Sequence, residues 1–365
     1  MSDYTVLVLG AGASLPYGLP LGKGLLQKIS ADLPKDYNTP LSTGISTLYN
    51  DICSDPKFMA SIQSMKLKEP YHALIEFNQR LLESLPKSID EFLSRNFENA
   101  NDAFQVIGKR VIARAIASGE TTPTSEYENT NDDWYRYLWQ ECLNANSRSY
   151  DEVKSKRIRI ISFNYDRSLE YYLGRKLAAS YFAPPGTDFS IEKVGKWAKE
   201  GFEAIESNDF YITHPYGTLG SLTKIPYGWK NNDRDSGKEM ALNINVISEV
   251  RKHSTDFSKA QEWLQGAKKV VFLGFSYDET NMERLGLSSG LPRCIQTNQS
   301  INSRQVFPLT YGLERAERLA LTRKYFSDFE FEVDRPSNDY SPISETHQSM
   351  QITQYLRRYG GLTGL

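Results

Sequence analysis

At 365 residues the chain is long enough for one large or two ordinary domains with a real core, and a formal net charge of −2 gives no reason to expect nucleic acid as the main ligand. A hydrophobic fraction of 39% without an apolar run of membrane-spanning length argues against a transmembrane segment, and a strand that begins almost at the first residue leaves no room for a signal peptide, so a cytoplasmic protein is expected. Cys53, Cys142 and Cys294 are odd in number and far apart, which fits reduced thiols, and with no Cys-x-x-Cys pair a zinc ribbon is not expected.

Taken in chain order, Thr5 to Leu9 are apolar and β-favouring and run into Gly10-Ala11-Gly12-Ala13-Ser14, beyond which Leu21 to Ile29 reads as a helix. Glycines at 10 and 12 leave no Cβ between the backbone and an anion, so the amides of the turn and helix start can face a pyrophosphate. The usual dinucleotide fingerprint has a third glycine at position 15, where this chain has Leu15. An ordinary glycine-rich strand-to-helix turn fits the same residues.

From Asp32 to about Ser64 the chain is rich in Pro, Asp, Ser and Asn, which predicts loops and short helices. Helical spacing follows in Leu74, Phe77, Leu81 and Leu85, in Phe104, Ile107, Val111 and Ala115, and in Trp134, Leu138 and Cys142. These segments predict a helical layer inserted after the first strand-helix unit, with Gly119 to Asp133 as an exposed loop within it. Trp134, Tyr135, Leu138 and Trp139 read as core or subunit contact rather than a base-stacking platform.

Strand signals return at Arg157 to Phe163, followed by Asn164-Tyr165-Asp166 and an amphipathic helix carrying Leu169, Tyr172 and Leu173. A short strand reads Phe210 to His214, and another, Lys269 to Leu273, ends in Gly274-Phe275-Ser276. The longer runs are apolar on both faces, as strands covered by helices on both sides should be. The expected fold is α/β, a Rossmann-like doubly wound parallel sheet with a helical insertion: residues 1–30 plus 151–330 form the sheet domain, 31–150 the helical insertion subdomain, and 331–365 a C-terminal tail. A terminal helix is predicted over Met350 to Arg358, stopped by Gly360-Gly361. Aromatic residues in the tail and the insertion make a homo-oligomer a reasonable expectation. Ligands of such sheets sit outside the carboxyl ends of the strands, where strand order reverses. Gly10 to Ser14, Asn164 to Asp166, His214 and Gly274 to Ser276 all fall at such ends.

The set Gly10-Ala11-Gly12-Ala13-Ser14 with Gly18 and Pro20, then Ser162-Phe163-Asn164-Tyr165-Asp166, then His214 with Tyr216-Gly217, then Gly274-Phe275-Ser276 with Asn281, resembles the sirtuin-like domains of bacterial anti-phage defence proteins. The resemblance runs from about residue 6 to 285 in the family's order. It implies a Rossmann-type NAD-binding domain that hydrolyses NAD to nicotinamide and ADP-ribose, as the effector of an abortive-infection defence system beside a sensor or a HerA-type ATPase. NAD is then the substrate, with no further cofactor. The chain departs from the family in two ways. It lacks the four-cysteine zinc module of the protein deacylases, and Tyr216 stands directly before Gly217 where the family's catalytic histidine is expected. If the segment is extended, His214 and Tyr216 project to one face, so His214 reaches the same pocket.

Cleaving the nicotinamide–ribose bond leaves an oxocarbenium-like ribose, so the protein must mainly hold the ribose, stabilise positive charge and admit water. By resemblance Asn164 is the catalytic asparagine, suited to orient that water or a ribose hydroxyl, and His214 is suited to act as general base. By the same resemblance Ala11, Gly12 and Ser14 line the pyrophosphate and Gly274 and Ser276 the adenosine side, Gly10 and Asn281 are further NAD-binding positions, and Asp166 is a further polar contact. The resemblance also implies that Asp90, in Ser88-Ile89-Asp90-Glu91-Phe92-Leu93, approaches the nicotinamide ribose from the helical layer. Structural alternatives stand beside these roles: helix caps for Asp166 and Asp90, a turn for Asn164, a hydrogen-bonded strand residue for His214, and the start of a helix over Tyr277 to Leu285 for Ser276. His72, His253 and His347 read as non-functional. Two other functions remain open, an NAD-dependent deacylase and a non-catalytic module that senses NAD or ADP-ribose.

Overall fold

The computed structural model describes residues 4–37, 47–64, 69–96, 102–120, 132–184, 186–187, 195–207, 210–228, 234–247, 249, 254–288, 290–291, 294–296, 301–303, 305–309, 315–326 and 352–359. Its centre is a five-stranded, wholly parallel sheet built from β1 (Thr5–Leu9), β2 (Ile158–Ser162), β3 (Tyr211–Thr213), β4 (Lys269–Leu273) and β7 (Gln305–Pro308), in the order β3-β2-β1-β4-β7. A small antiparallel pair, β5 (Cys294–Gln296) with β6 (Ile301–Ser303), lies outside it and was not anticipated from the sequence. The chain builds outward from β1 through β2 to β3, then crosses back to lay β4 on the other side of β1. Strand order therefore reverses between β1 and β4, whose registers run in step from Thr5 beside Lys269 to Leu9 beside Leu273.

Side chains of consecutive strand residues point to opposite faces, and here each face is buried. Val6, Val8, Ile161, Val270 and Phe272 join one core cluster, whereas Leu7, Leu9, Ile160, Val271 and Leu273 join a second. The first cluster also takes residues from α2 (Gly22–Tyr37), α3 (Thr47–Cys53), α4 (Pro56–Ser64), α5 (Pro70–Ser84), α6 (Ile89–Asn96), α7 (Asp102–Ala117), α12 (Arg234–Asn243), α13 (Thr255–Gly266), α14 (Glu279–Arg284) and α15 (Arg315–Tyr325). The second takes residues from α1 (Ala11–Ser14), α8 (Trp134–Tyr137), α9 (Tyr150–Lys154), α10 (Ser168–Leu177), α11 (Gly195–Glu206) and α16 (Ile352–Tyr359). Of the helices between β1 and β2, α2 to α7 thus share a buried cluster with one face of the sheet, and α1, α8 and α9 with the other. Among the described residues no helix is long and apolar enough to cross a membrane.

Several expectations shift. The helix expected over Leu21 to Ile29 runs on to Tyr37, with Pro34 inside it. α5 stops at Ser84, because Leu85 adopts a left-handed conformation (φ 43°) and is 85% exposed, so it does not continue the apolar stripe. The helix beginning at Trp134 widens into a π-type turn over Leu138–Leu143. Residues 121–131 of the expected loop lie outside the described set, but Glu120 at its edge is fully buried. α16 docks on its own chain: Asp132 accepts the amides of Ile352 and Thr353 at 2.8 and 2.7 Å, and Ile352 and Leu356 are buried. Gly360-Gly361 lies outside the described residues.

Candidate functional site

The loops after β1 and β4 approach each other backbone to backbone. Gly10 N–H donates to Leu273 O (3.0 Å) and Gly12 N–H to Gly274 O (3.0 Å). A Cβ on Gly10 would lie 2.5 Å from Gly274 O, and one on Gly12 would lie 2.7 Å from Gly274 Cα. On Gly274, with φ +58°, it would lie 2.0 Å from Ala13 N. The three glycines are therefore required by contact between two loops, a reason for their presence that is separate from the approach of an anion. The Gly12 amide is engaged by Gly274, and the Ala13 amide by Gly10 O at 2.9 Å. Ala11 remains at the surface of the turn, and Leu15, in place of the third glycine, is 46% exposed. Trp134 supports the turn from within, donating its indole N–H to Ala13 O at 2.8 Å, which makes it a core residue.

The loop after β2 joins this pair. Asn164 Nδ2 donates to Gly10 O (3.0 Å) and to Ser14 Oγ (2.9 Å), and the side chain is buried. Gly10 O can only accept, which fixes the orientation of the amide: both Nδ2 hydrogens are used and Oδ1 is left as an acceptor. Two residues on, Asp166 Oδ1 accepts from the amide (3.1 Å) and the hydroxyl of Ser168, and that hydroxyl also pairs with Tyr135 OH at 2.7 Å. Burial raises the Asp166 carboxyl above its ordinary value, although hydrogen bonds from Ser168 and Ser14 pull it back. Asp166 thus does the work of a cap at the start of α10.

β3 ends at Thr213, and the chain turns at once, with Gly217 N–H donating to His214 O at 2.8 Å. The segment is therefore not extended, and His214 and Tyr216 meet different partners. His214 Nδ1 lies 3.1 Å from Asn164 O, and Nε2 pairs with Glu170 Oε1. Tyr216 OH donates to Asn281 Oδ1 (2.7 Å) and accepts from Arg284 Nη1 (3.1 Å), while Arg284 Nη2 holds Ile247 O at 2.6 Å. Burial pushes the Tyr216 phenol up to about 12 against the pull of Arg284, so it stays a neutral donor. Phe163 packs edge-on against Tyr216, Phe257 and Phe275, binding the β2, β3 and β4 ends to one another.

Asp90 reaches this region from the first turn of α6. Tyr165 OH donates to its Oδ1 (3.0 Å) and also lies 3.2 Å from Asn245 O. Burial raises the Asp90 carboxyl to about 6, with the Tyr165 hydrogen bond and the charge of Arg284 opposing. Asp90 is not the helix cap; Ser88 Oγ accepts the Glu91 amide instead. In the loop after β4, Asp278 caps α14 by accepting from Thr280 and Asn281, so the helix starts at Glu279 rather than Tyr277. Ser276 is exposed, short of that helix. Gly10, Gly12, Ser14, Asn164, His214 and Gly274 are thus joined by direct contacts, Asp166 is adjacent, Asp90 and Asn281 enter through Tyr165 and Tyr216, and Ala11 and Ser276 stay at the surface.

Sequence reading missed Glu120, Arg167, Glu170 and Arg284. Arg167 is buried beside Asp166 and pairs with Glu120 at 2.6 Å, while its remaining N–H groups hold Ile225 O (2.7 Å) and Gly220 O and Pro226 O (both 3.4 Å). Spacing marks Arg167 and Glu170 only as polar positions at the start of a helix. Among the described residues no group of three His, Cys, Asp or Glu side chains is arranged to hold a metal ion. The chain matches no family model, and no curated protein matches it either.

Proposed function

We propose that the loops at the carboxyl ends of β1, β2 and β4 bind NAD and cleave it with water to nicotinamide and ADP-ribose. The observation that carries this reading is the Asn164 carboxamide, bonded across to Gly10 O and Ser14 Oγ at the point where strand order reverses, the ligand-binding crevice of doubly wound sheets. With both amide hydrogens spent, Asn164 Oδ1 is a fixed acceptor. It is suited to hold a hydroxyl hydrogen of ribose or of the attacking water while positive charge builds on the ribose carbon. Nicotinamide already leaves readily, so orientation is the protein's main task. Asp90, with a carboxyl that titrates at about 6, is a second acceptor for ribose from the α6 side. A role in anti-phage defence beside a sensor or HerA-type ATPase is supported by the motif resemblance alone.

A second reading, a non-catalytic module that binds NAD or ADP-ribose, is favoured by the two occupied ring nitrogens of His214, which leave the imidazole no free position from which to act as a base. One experiment separates the two. Purified protein is incubated with NAD, alone and with candidate ATPase partners or an acetylated peptide, nicotinamide release is followed, and NAD and ADP-ribose binding are measured by calorimetry. Release that is lost in Asn164→Ala, with the fold retained, supports hydrolysis; binding without release supports the sensing module. Neither binding nor release under any condition overturns both.

A further inference from the structure

His214 is held at both ends of its ring. Asn164 O is a carbonyl and can only accept, so Nδ1 carries a proton, and Nε2 is directed at Glu170 Oε1. Either ionisation of this pair occupies the Nε2 lone pair. A protonated Nε2 donates its N–H to a Glu170 carboxylate, and an unprotonated one accepts the hydrogen of a Glu170 carboxyl. The surroundings of the imidazole favour its charged form. Burial opposes it, but Glu170 from α10, the Asn164 carbonyl and Asp166 from the loop before α10 together raise the imidazole above its ordinary value. One residue before the histidine, at the end of β3, Thr213 Oγ1 lies 3.1 Å from Asp256 of α13. Both members of the pair are 13% exposed, so water screens them weakly.

We propose that Glu170 and His214 are positioning residues: the pair is a strut from α10 to the Asn164 carbonyl that fixes the main chain of Asn164, and so keeps its carboxamide on Gly10 and Ser14. The strut has a firm base. α10 starts at Ser168, next to Arg167, whose side chain is clamped by Glu120, and Asp166 holds the first amide of the helix. His214 is therefore not the base that activates water. The activity arm of the test rests on the NAD reading, but the protonation arm does not.

The protonation arm uses nitrogen-detected NMR of the full chain, which has only 4 histidines, with the His214 signals assigned by their loss in His214→Asn. Both ring nitrogens should be protonated at pH 7, and Glu170→Gln should lower the His214 midpoint by about one unit or more. A wild-type ring with an unprotonated Nε2 at pH 7, or a midpoint unmoved by Glu170→Gln, overturns the proposal. In the activity arm, an asparagine at 214 can still donate to Asn164 O from a place near that of Nδ1. If NAD is cleaved, His214→Asn should therefore retain at least about tenfold more kcat than His214→Ala. Equal loss in both variants indicates a base and overturns the proposal. If NAD is not cleaved, the function reading fails while the protonation arm still decides the strut.

Discussion

Removing the carboxylate of Glu120 should destabilise the chain severely. Glu120 and Arg167 side chains are 0% and 2% exposed, and the carboxylate accepts three of the arginine's N–H groups: the backbone amide at 2.9 Å, Nε at 3.2 Å and Nη2 at 2.6 Å. In Glu120→Ala the guanidinium stays buried with only the carbonyls of Gly220, Ile225 and Pro226 to face. Breaking a buried pair by deleting one partner costs about 3–5 kcal/mol, a large share of the roughly 5–15 kcal/mol that stabilises a domain. The measurement is urea unfolding followed by far-ultraviolet circular dichroism and by tryptophan fluorescence, since Trp134 is buried in the same layer as α10. The double variant Glu120→Leu with Arg167→Met removes both charges and should recover at least about 2 kcal/mol of the loss, because the uncompensated ion is gone. A cost below about 1 kcal/mol for Glu120→Ala, or no recovery in the double variant, would refute the view that this pair clamps α10 to the loop over 217–226.

Gly274→Ala should cost more than about 3 kcal/mol, since it adds a left-handed backbone penalty of roughly 1–2 kcal/mol to a Cβ placed 2.0 Å from Ala13 N. Gly186→Ala, with φ +82° and nothing within 4 Å, should cost only the backbone part, and equal unfolding midpoints for the two variants would contradict the interlock. Asp90 has a folded-state carboxyl raised to about 6, so its ionised form is penalised in the fold: the penalty is absent below pH 4, grows as pH rises through 6, and is complete above. Asp90→Asn should therefore be more stable than wild type at pH 7.5 by up to about 3 kcal/mol, two units at 1.36 kcal/mol each, with the advantage vanishing near pH 4 in paired melts. Asp132→Ala deletes the acceptor of two amides of α16 and should lower its local stability by about 1–2 kcal/mol, read as faster amide exchange over 352–359 with little change elsewhere.

Much of the sheet was legible because buried parallel strands leave a strong local mark. β1 and β4 appear at their observed limits in the apolar runs Thr5 to Leu9 and Lys269 to Leu273, and β2 and β3 differ from expectation only by a residue at each end. The glycines at 10, 12 and 274 were visible as well, but their reason was not. A lone sequence cannot distinguish a glycine that admits a ligand from one that admits another loop, and here the backbone of Gly274 fills the space. His214 shows the same limit, since Pro215 and Gly217 give a turn where extension was assumed, and Glu170, which pairs with the ring, stands 44 residues away.

By itself the sequence determined the periodic features: which runs become strands, which stripes become helices, and where polar and glycine residues interrupt them at strand ends. Those follow from side-chain alternation and backbone freedom, which act over a few residues. Tertiary structure alone decided which charges meet, as in Glu120 with Arg167 and Glu170 with His214, because a buried ion is tolerated only where the fold brings its counter-ion to it from a distant part of the chain.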